Sequence, residues 1–361
     1  MSARRTLVVG GTGPSGYAIV ERLIARGDAV TIFHTGRHEL EFSAPVEHLH
    51  GDPRELEDLQ RLLAGREFEV AISTSGRIRH IIAVLRGRIG KLVAVSGLPY
   101  YRRSRGLPAS WDEQRPIHMR SLLPAGATGV PLPLREQDER VSDPADRYGH
   151  LVVRSEDAVM QAHARGDFDA SIIRYTMVYG KHSYIPFEWF IVRRILDGRR
   201  AIALEAGGLM VPQRGYADNL AHAALLCAEH PAASGQAYNV GDEQSLSMFD
   251  LTALIADTLG HRWEMVEVPL CLSPCQNPFA MRQNTLFDMS KIRHELGYRD
   301  VLPVEQATRE YVLWLRDHPL PAGSDEERVL GDKVFDYAAE DRVMALCKDL
   351  YTRAALAERG A

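Results

Sequence analysis

The tightest constraint on this chain is a glycine cluster close behind its first residues. Thr6-Leu7-Val8-Val9 is an apolar run of strand character, and Gly10-Gly11-Thr12-Gly13-Pro14-Ser15-Gly16 follows with four glycines in seven residues. From Tyr17 the pattern changes period: Ile19, Val20, Leu23 and Ile24 recur at helical spacing. Strand, glycine turn and helix in that order are the context in which glycines carry meaning. The turn must be tight, the backbone must approach a pyrophosphate, and the helix must pack close on its strand. The helix N-terminus adds free N–H groups and a positive dipole end. Gly10, Gly13 and Gly16, with Thr12, Pro14 and Ser15, are therefore expected to cradle the pyrophosphate of a dinucleotide.

Alternation of strand and helix continues beyond the turn. Asp28–Phe33, Pro45–His50, Val70–Gly76, Lys91–Gly97 and Asp169–Tyr175 read as further strands, with helical patterns between them, notably over Arg77–Arg88 and Tyr148–His163. The fold class expected is α/β, a doubly wound parallel Rossmann sheet with a smaller mixed C-terminal substrate region. Residues 1–180 form the dinucleotide-binding domain in this reading, with an insertion at about 100–146, rich in proline and arginine and expected to act as a lid. Residues 181–320 form the substrate region, and 321–361 a linker and helical extension that packs on the body or on a partner.

The residue at the second strand's end selects the nucleotide. A carboxylate there bonds the ribose 2′-hydroxyl of NAD, whereas a nearby arginine accommodates the 2′-phosphate of NADP. His34 stands where the acid would, and Arg37 follows within reach, so NADP(H) is the expected cofactor. Ser73 and Ser75 close the fourth strand with small hydroxyl side chains, as suits a cofactor wall. A metal site is not expected. His48 and His50 share one face of the third strand without a third ligand in view, and Cys271 and Cys275 lack a paired cysteine–histidine set.

Among the 361 residues 45% are hydrophobic and 25% charged, with no apolar run long enough for a membrane span. The net charge of −5 gives no general reason to expect nucleic acid. Met1-Ser2-Ala3-Arg4-Arg5 leads straight into the first strand and only four cysteines are present, so a cytoplasmic chain without a leader is expected.

Taken together, these segments resemble the extended short-chain dehydrogenase/reductase family in its epimerase and dehydratase branch, over roughly residues 5 to 317. The turn matches the family's G-x-x-G-x-x-G at Gly10, Gly13 and Gly16. Gly51-Asp52 matches the strand-end pair whose aspartate meets the adenine. Ser171–Gly180 resembles the segment read as Arg-Pro-x-x-x-Tyr-Gly and brings Tyr175 to the cofactor. Tyr238–Gly241 and Asp288–Lys291 through Leu296–Tyr298 resemble two C-terminal signatures. The family's Y-x-x-x-K pair falls on Tyr148 and Val152, so the tyrosine is present and the lysine is replaced by valine. Ser96 lies near the position of the family's active-site hydroxyl, although the usual register falls on Leu98. The segment Gln213–Asn219 departs from the nucleotide-sugar pattern and is closer to the branch that includes chloroplast stem-loop-binding proteins, some of which bind RNA.

The resemblance implies an NADP(H)-dependent oxidoreductase, a carbonyl reductase or an epimerase-type enzyme, acting on a small organic substrate. Tyr148 and Ser96 are its catalytic candidates, Tyr148 also contacting the cofactor, and Tyr100, Tyr101 and His150 are substitutes. A homodimer through the Arg77–Arg88 and Tyr148–His163 helices is implied as well. The missing lysine equally suits a non-catalytic NADP-binding sensor or scaffold, and the fold admits a non-redox lyase or isomerase or an RNA-binding relative.

Overall fold

Leu7, Val8 and Val9 are all fully buried, although in a strand they point alternately to opposite faces. Both faces of that strand must therefore be covered, as in a parallel sheet flanked by helices. The computed structural model, which describes residues 3–101, 131–142, 144–272, 277, 279, 284–331 and 333–359, has that arrangement. Seven strands form one sheet, β1 (Arg5–Val9), β2 (Ala29–His34), β3 (Glu47–His50), β4 (Phe68–Ser73), β5 (Ile89–Gly97), β6 (Asp169–Tyr175) and β10 (Gln236–Val240). Their order is β10-β6-β5-β4-β1-β2-β3, and every pairing is parallel.

Helices α1 (Pro14–Arg26) and α6 (Ala217–Glu229) cover one face; Val8 and Ile173 pack there against Ile19, Leu23, Leu220 and Cys227. On the other face lie α2 (Leu56–Leu62), α3 (Ile78–Leu85) and α4 (Arg147–Ala164), with Leu7, Val9 and Ile172 against Leu59, Ile81 and Val159. Each such buried leucine, valine or isoleucine contributes about 1.5–3 kcal/mol. Strand order reverses between β1 and β4, which opens a crevice beyond their C-terminal ends. The doubly wound Rossmann sheet expected from the sequence is present. Strand bounds shift by a few residues, and β2 extends to include His34.

Two parallel pairs in the C-terminal half escape the sequence pattern in part: β7 (Met177–Tyr179) with β9 (Arg214–Tyr216), and β8 (Ala201–Glu205) with β11 (Glu264–Val268). They surround a third core of Trp189, Phe190, Tyr311 and Leu315. The terminal helix α11 (Tyr337–Glu358) packs on this body. Met344 and Cys347 meet Ala203, Val266 and Val268, and the Glu340 carboxylate bonds the fully buried Arg194 at 3.2 Å.

Both ends of the stretch read as an insertion belong to the core. Tyr101, Leu134 and Val141 are buried, Leu134 exchanges backbone bonds with the 286–288 strand-like segment, and Val141 N–H donates to Tyr100 O at 2.9 Å. The lid expected from this stretch falls on 102–130, outside the described residues. Tyr101 and Tyr100 are thereby removed as catalytic substitutes. The Tyr101 hydroxyl is buried between Asn239 Oδ1 and the Arg174 guanidinium, and the Tyr100 ring lies under that guanidinium, 3.6 Å from its centroid.

Arg174 is the joint of this region. From β6 it bonds Glu156 of α4 at 2.8 Å, the Tyr101 hydroxyl at 3.0 Å and the Glu136 carbonyl at 3.0 Å, and both members of the ion pair are nearly inaccessible. Removing one partner of a buried pair leaves a desolvated charge, at a cost of about 3–5 kcal/mol. Glu156→Gln should therefore destabilise by roughly 3 kcal/mol in urea unfolding, whereas Glu156→Leu combined with Arg174→Met should recover much of the loss. A cost under about 1 kcal/mol for Glu156→Gln would show the pair to be dispensable.

Candidate functional site

The glycine turn is built as its sequence demands. Gly10 adopts φ +92°, and a Cβ there would meet Ser75 Oγ at 2.3 Å. Gly16 takes ordinary backbone angles, yet its Cβ would lie 2.2 Å from Gly10 O, so glycine is required for α1 to approach β1. Thr74 Oγ1 pins the turn from β4's end by donating to Val9 O and Gly10 O at 3.1 and 3.0 Å. Helix α1 starts at Gly13 with Pro14 in its first turn and no side-chain cap, which leaves the first N–H groups to a ligand.

A cavity of about 450 Å³ opens in front of this turn, lined by Gly10, Gly13, Ser15, Ser96, Tyr175 and Tyr184 among others. A second, of about 630 Å³, lies beside it and is lined by Arg54, Arg77, Ser96, Tyr148 and Val152. The ends of β4 and β5 form the wall common to both, through Thr74, Ser75, Val95, Ser96 and Gly97. Ser96 Oγ is buried at this wall and has no hydrogen-bond partner among the described residues. A hydroxyl left in that state costs free energy unless a ligand completes it.

The candidate catalytic residues come from separate elements. Ser96 stands one residue before the end of β5, and Tyr148 on the first turn of α4, where Asp146 caps the helix by accepting from Gly149 N at 3.0 Å. Tyr148 is 55% exposed and faces the larger cavity. Val152 lines that cavity one turn further along, offering neither charge nor hydrogen bond. His150 does not line either cavity.

At the adenine end the geometry departs from a simple contact set. His34 is only 4% exposed, its Nε2 lies 3.1 Å from His48 Nδ1, and burial holds its imidazolium below the ordinary histidine range. Arg37 is exposed on the loop after β2, with no carboxylate at ion-pair distance among the described residues. Asp52 is held by Arg54 at 3.1 and 3.2 Å, and that bond keeps its carboxyl below the usual carboxylate range. The Ser73 hydroxyl is committed to Ser75 O at 3.0 Å and the Tyr175 hydroxyl to Leu220 O at 3.3 Å. Tyr175 therefore offers the smaller cavity its ring, Ser73 is buried at the lining of the larger one, and Ser75 stays exposed.

Tyr184 was not signalled by the sequence. It is 172 residues from Thr12, yet its hydroxyl lies 3.3 Å from Thr12 Oγ1, and its ring would meet a Cβ on Gly13 at 3.0 Å. No local pattern marks such a residue, because only the fold brings it over the turn.

The residues present fit a nicotinamide dinucleotide: an uncapped helix start, a glycine cradle and an unpartnered hydroxyl lie along one crevice. Gly16→Ala should lower the melting temperature by several degrees, since about 1–3 kcal/mol of overpacking is expected. Dinucleotide affinity should fall with it. Unchanged thermal unfolding and unchanged cofactor fluorescence titration would refute the close-approach argument.

Comparison with known proteins agrees with this geometry. Residues 112–241 match the NAD dependent epimerase/dehydratase family. Chloroplast stem-loop binding protein of 41 kDa b from Arabidopsis thaliana is 24% identical over 72% of this chain, which spans 64% of that relative's length. The fold superposes on UDP-glucose 4-epimerase from Thermotoga maritima with a TM-score of 0.67 at 16% identity, covering 87% of this chain and 99% of that one. For dTDP-glucose 4,6-dehydratase from Bacillus anthracis, in complex with NAD, the TM-score is 0.63 at 16% identity, with 87% and 97% covered. Residues 112–241 thus resemble the NAD-dependent epimerase/dehydratase family, and the sheet order is the fold these solved structures share.

Proposed function

We propose that this protein is an NADP(H)-dependent oxidoreductase that reduces the carbonyl group of a small organic substrate. The observation that carries the proposal is the shared wall: the unpartnered Ser96 hydroxyl lies between the cradle cavity and the one lined by Tyr148. The pyrophosphate would lie on Gly10–Gly16 and the α1 N-terminus, with Arg37 receiving the 2′-phosphate. Bound there, the nicotinamide supplies the two-electron redox chemistry.

The chain's own residues would polarise and protonate the substrate oxygen. The Ser96 hydroxyl donates a hydrogen bond to it, and the Tyr148 phenol delivers the proton as charge develops. Val152 contributes no cation to draw the proton off Tyr148, so the phenol acts as a donor and serves poorly as a base. Reduction is favoured kinetically over oxidation for that reason. The non-catalytic alternative, a dinucleotide-binding sensor, draws on the same valine and predicts no turnover.

Arg37→Ala should weaken NADPH binding while leaving NADH binding nearly unchanged in a fluorescence titration. Tyr148→Phe should slow carbonyl reduction about a hundredfold, the scale of a lost acid–base group, with cofactor affinity retained. Val152→Lys should raise alcohol oxidation at neutral pH. Undiminished turnover in Tyr148→Phe would remove that residue from the mechanism, and equal NADH and NADPH affinity would remove the 2′-phosphate site. A homodimer is part of the proposal: α3 and α4 run side by side and leave Tyr148 and Leu151 exposed. Light scattering at micromolar concentration should give twice the 40.3 kDa chain mass.

A further inference from the structure

The outer edge of the sheet brings together three histidines that the sequence leaves apart. Register pairs His34 of β2 with His50 of β3, and Ile32 with His48, so all three imidazoles rise from one face. The connection between the strands returns Glu39 to the same spot. His34 Nε2 lies 3.1 Å from His48 Nδ1, Glu39 Oε2 lies 3.1 Å from His48 Nδ1 and 3.9 Å from His34 Nε2, and Glu39 Oε1 lies 2.9 Å from His50 Nε2. One donor atom from each residue falls within 4.8 Å of the other three. The expectation of two histidines without further ligands is thus corrected by His34 and Glu39, which the fold adds.

We propose that His34, His48, His50 and Glu39 form a site for one divalent transition-metal ion of the zinc class. Three imidazoles and a carboxylate are the ligand types zinc takes, and a tetrahedral centre with bonds near 2.0–2.1 Å sets its ligand atoms about 3.3 Å apart. The observed separations bracket that spacing. The proton count points the same way. His48 Nδ1 faces both an imidazole nitrogen and a carboxylate oxygen, and one N–H can satisfy only one of them. A cation accepts all the converging lone pairs at once. The surroundings are built rather than incidental: His34 is buried, and the Phe42 ring lies 6.0 Å from that of His48. Gly36 has φ +75°, which turns the loop beneath His50.

With four protein ligands the centre has no open position and reads as structural. The ion would staple the β2–β3 connection, and Arg37 with it, to an edge strand of only four residues.

The test uses full-length protein with any affinity tag removed, freed of metal by a chelator. Titration with Zn²⁺ against a chromophoric indicator, without nucleotide, should give one equivalent bound. Co²⁺ should give the intense visible bands of a tetrahedral site, without a thiolate charge-transfer band. His48→Ala and His50→Ala, at partly exposed positions, should each weaken Zn²⁺ at least about tenfold with the circular dichroism spectrum unchanged. Glu39→Gln should weaken it without unfolding. Saturable binding that survives the combined His48→Ala/His50→Ala change, or no binding at micromolar Zn²⁺, would overturn the site. Because nucleotide is absent throughout, neither outcome depends on the proposed oxidoreductase activity.

Discussion

The buried pair between Arg174 and Glu156 sets the geometry on which the candidate site depends. Arg174 lies on β6, next to the edge strand β10, and Glu156 lies on α4, the helix that begins at Arg147. A charged guanidinium taken out of water must be matched in direction and in number of donors, or the fold loses several kcal/mol. Here the carboxylate, the Tyr101 hydroxyl and the Glu136 carbonyl supply that match. Their demand fixes the slide of α4 along the sheet. It also ties both ends of the long 100–146 stretch to the same point, so that Tyr148 and Ser96 share a cavity wall although separate elements carry them.

Rigid and adaptable parts are divided along the crevice. The cradle is inflexible: Gly16 against Gly10 O, and Thr74 bonded to two carbonyls, leave no room for adjustment. Tyr184, by contrast, is a 43% exposed ring over the turn, its hydroxyl 3.3 Å from Thr12 Oγ1 and its centroid 5.4 Å from that of His38. A phosphate bound at the helix start would compete with that ring for space above Gly13.

Electrostatics differ at the two ends. Near Tyr148 the side chain one turn along is the apolar Val152, so the proposed proton delivery would rest on hydroxyl groups. At the sheet edge the reverse holds: imidazoles and a carboxylate crowd together while Arg37 remains unpaired among the described residues. A cation bound at that edge would neutralise Glu39 and stiffen the loop that carries Arg37. Nucleotide preference and metal content would then be linked through one short loop.

What the sequence determined by itself was everything governed by local rules. The period of the apolar residues marked β1, α1 and β6, and the glycine spacing at Gly10, Gly13 and Gly16 marked the tight turn onto α1, because backbone sterics act over a few residues. The absence of a cation at Val152 was equally plain. Tertiary structure decided which side chains are free. Tyr101 and Tyr100 read as candidates for chemistry and are spent on Arg174, the hydroxyls of Ser73 and Tyr175 are spent on carbonyls, and Asp52 is shared with Arg54. Tyr184 reaches Thr12 from 172 residues away, and β7, β8 and β11 pair across stretches with too few residues to show a period. His34, Glu39, His48 and His50 meet because parallel register aligns β2 with β3 and the loop folds back over them. Register is set by burial of the whole sheet, and no local pattern in the chain encodes it.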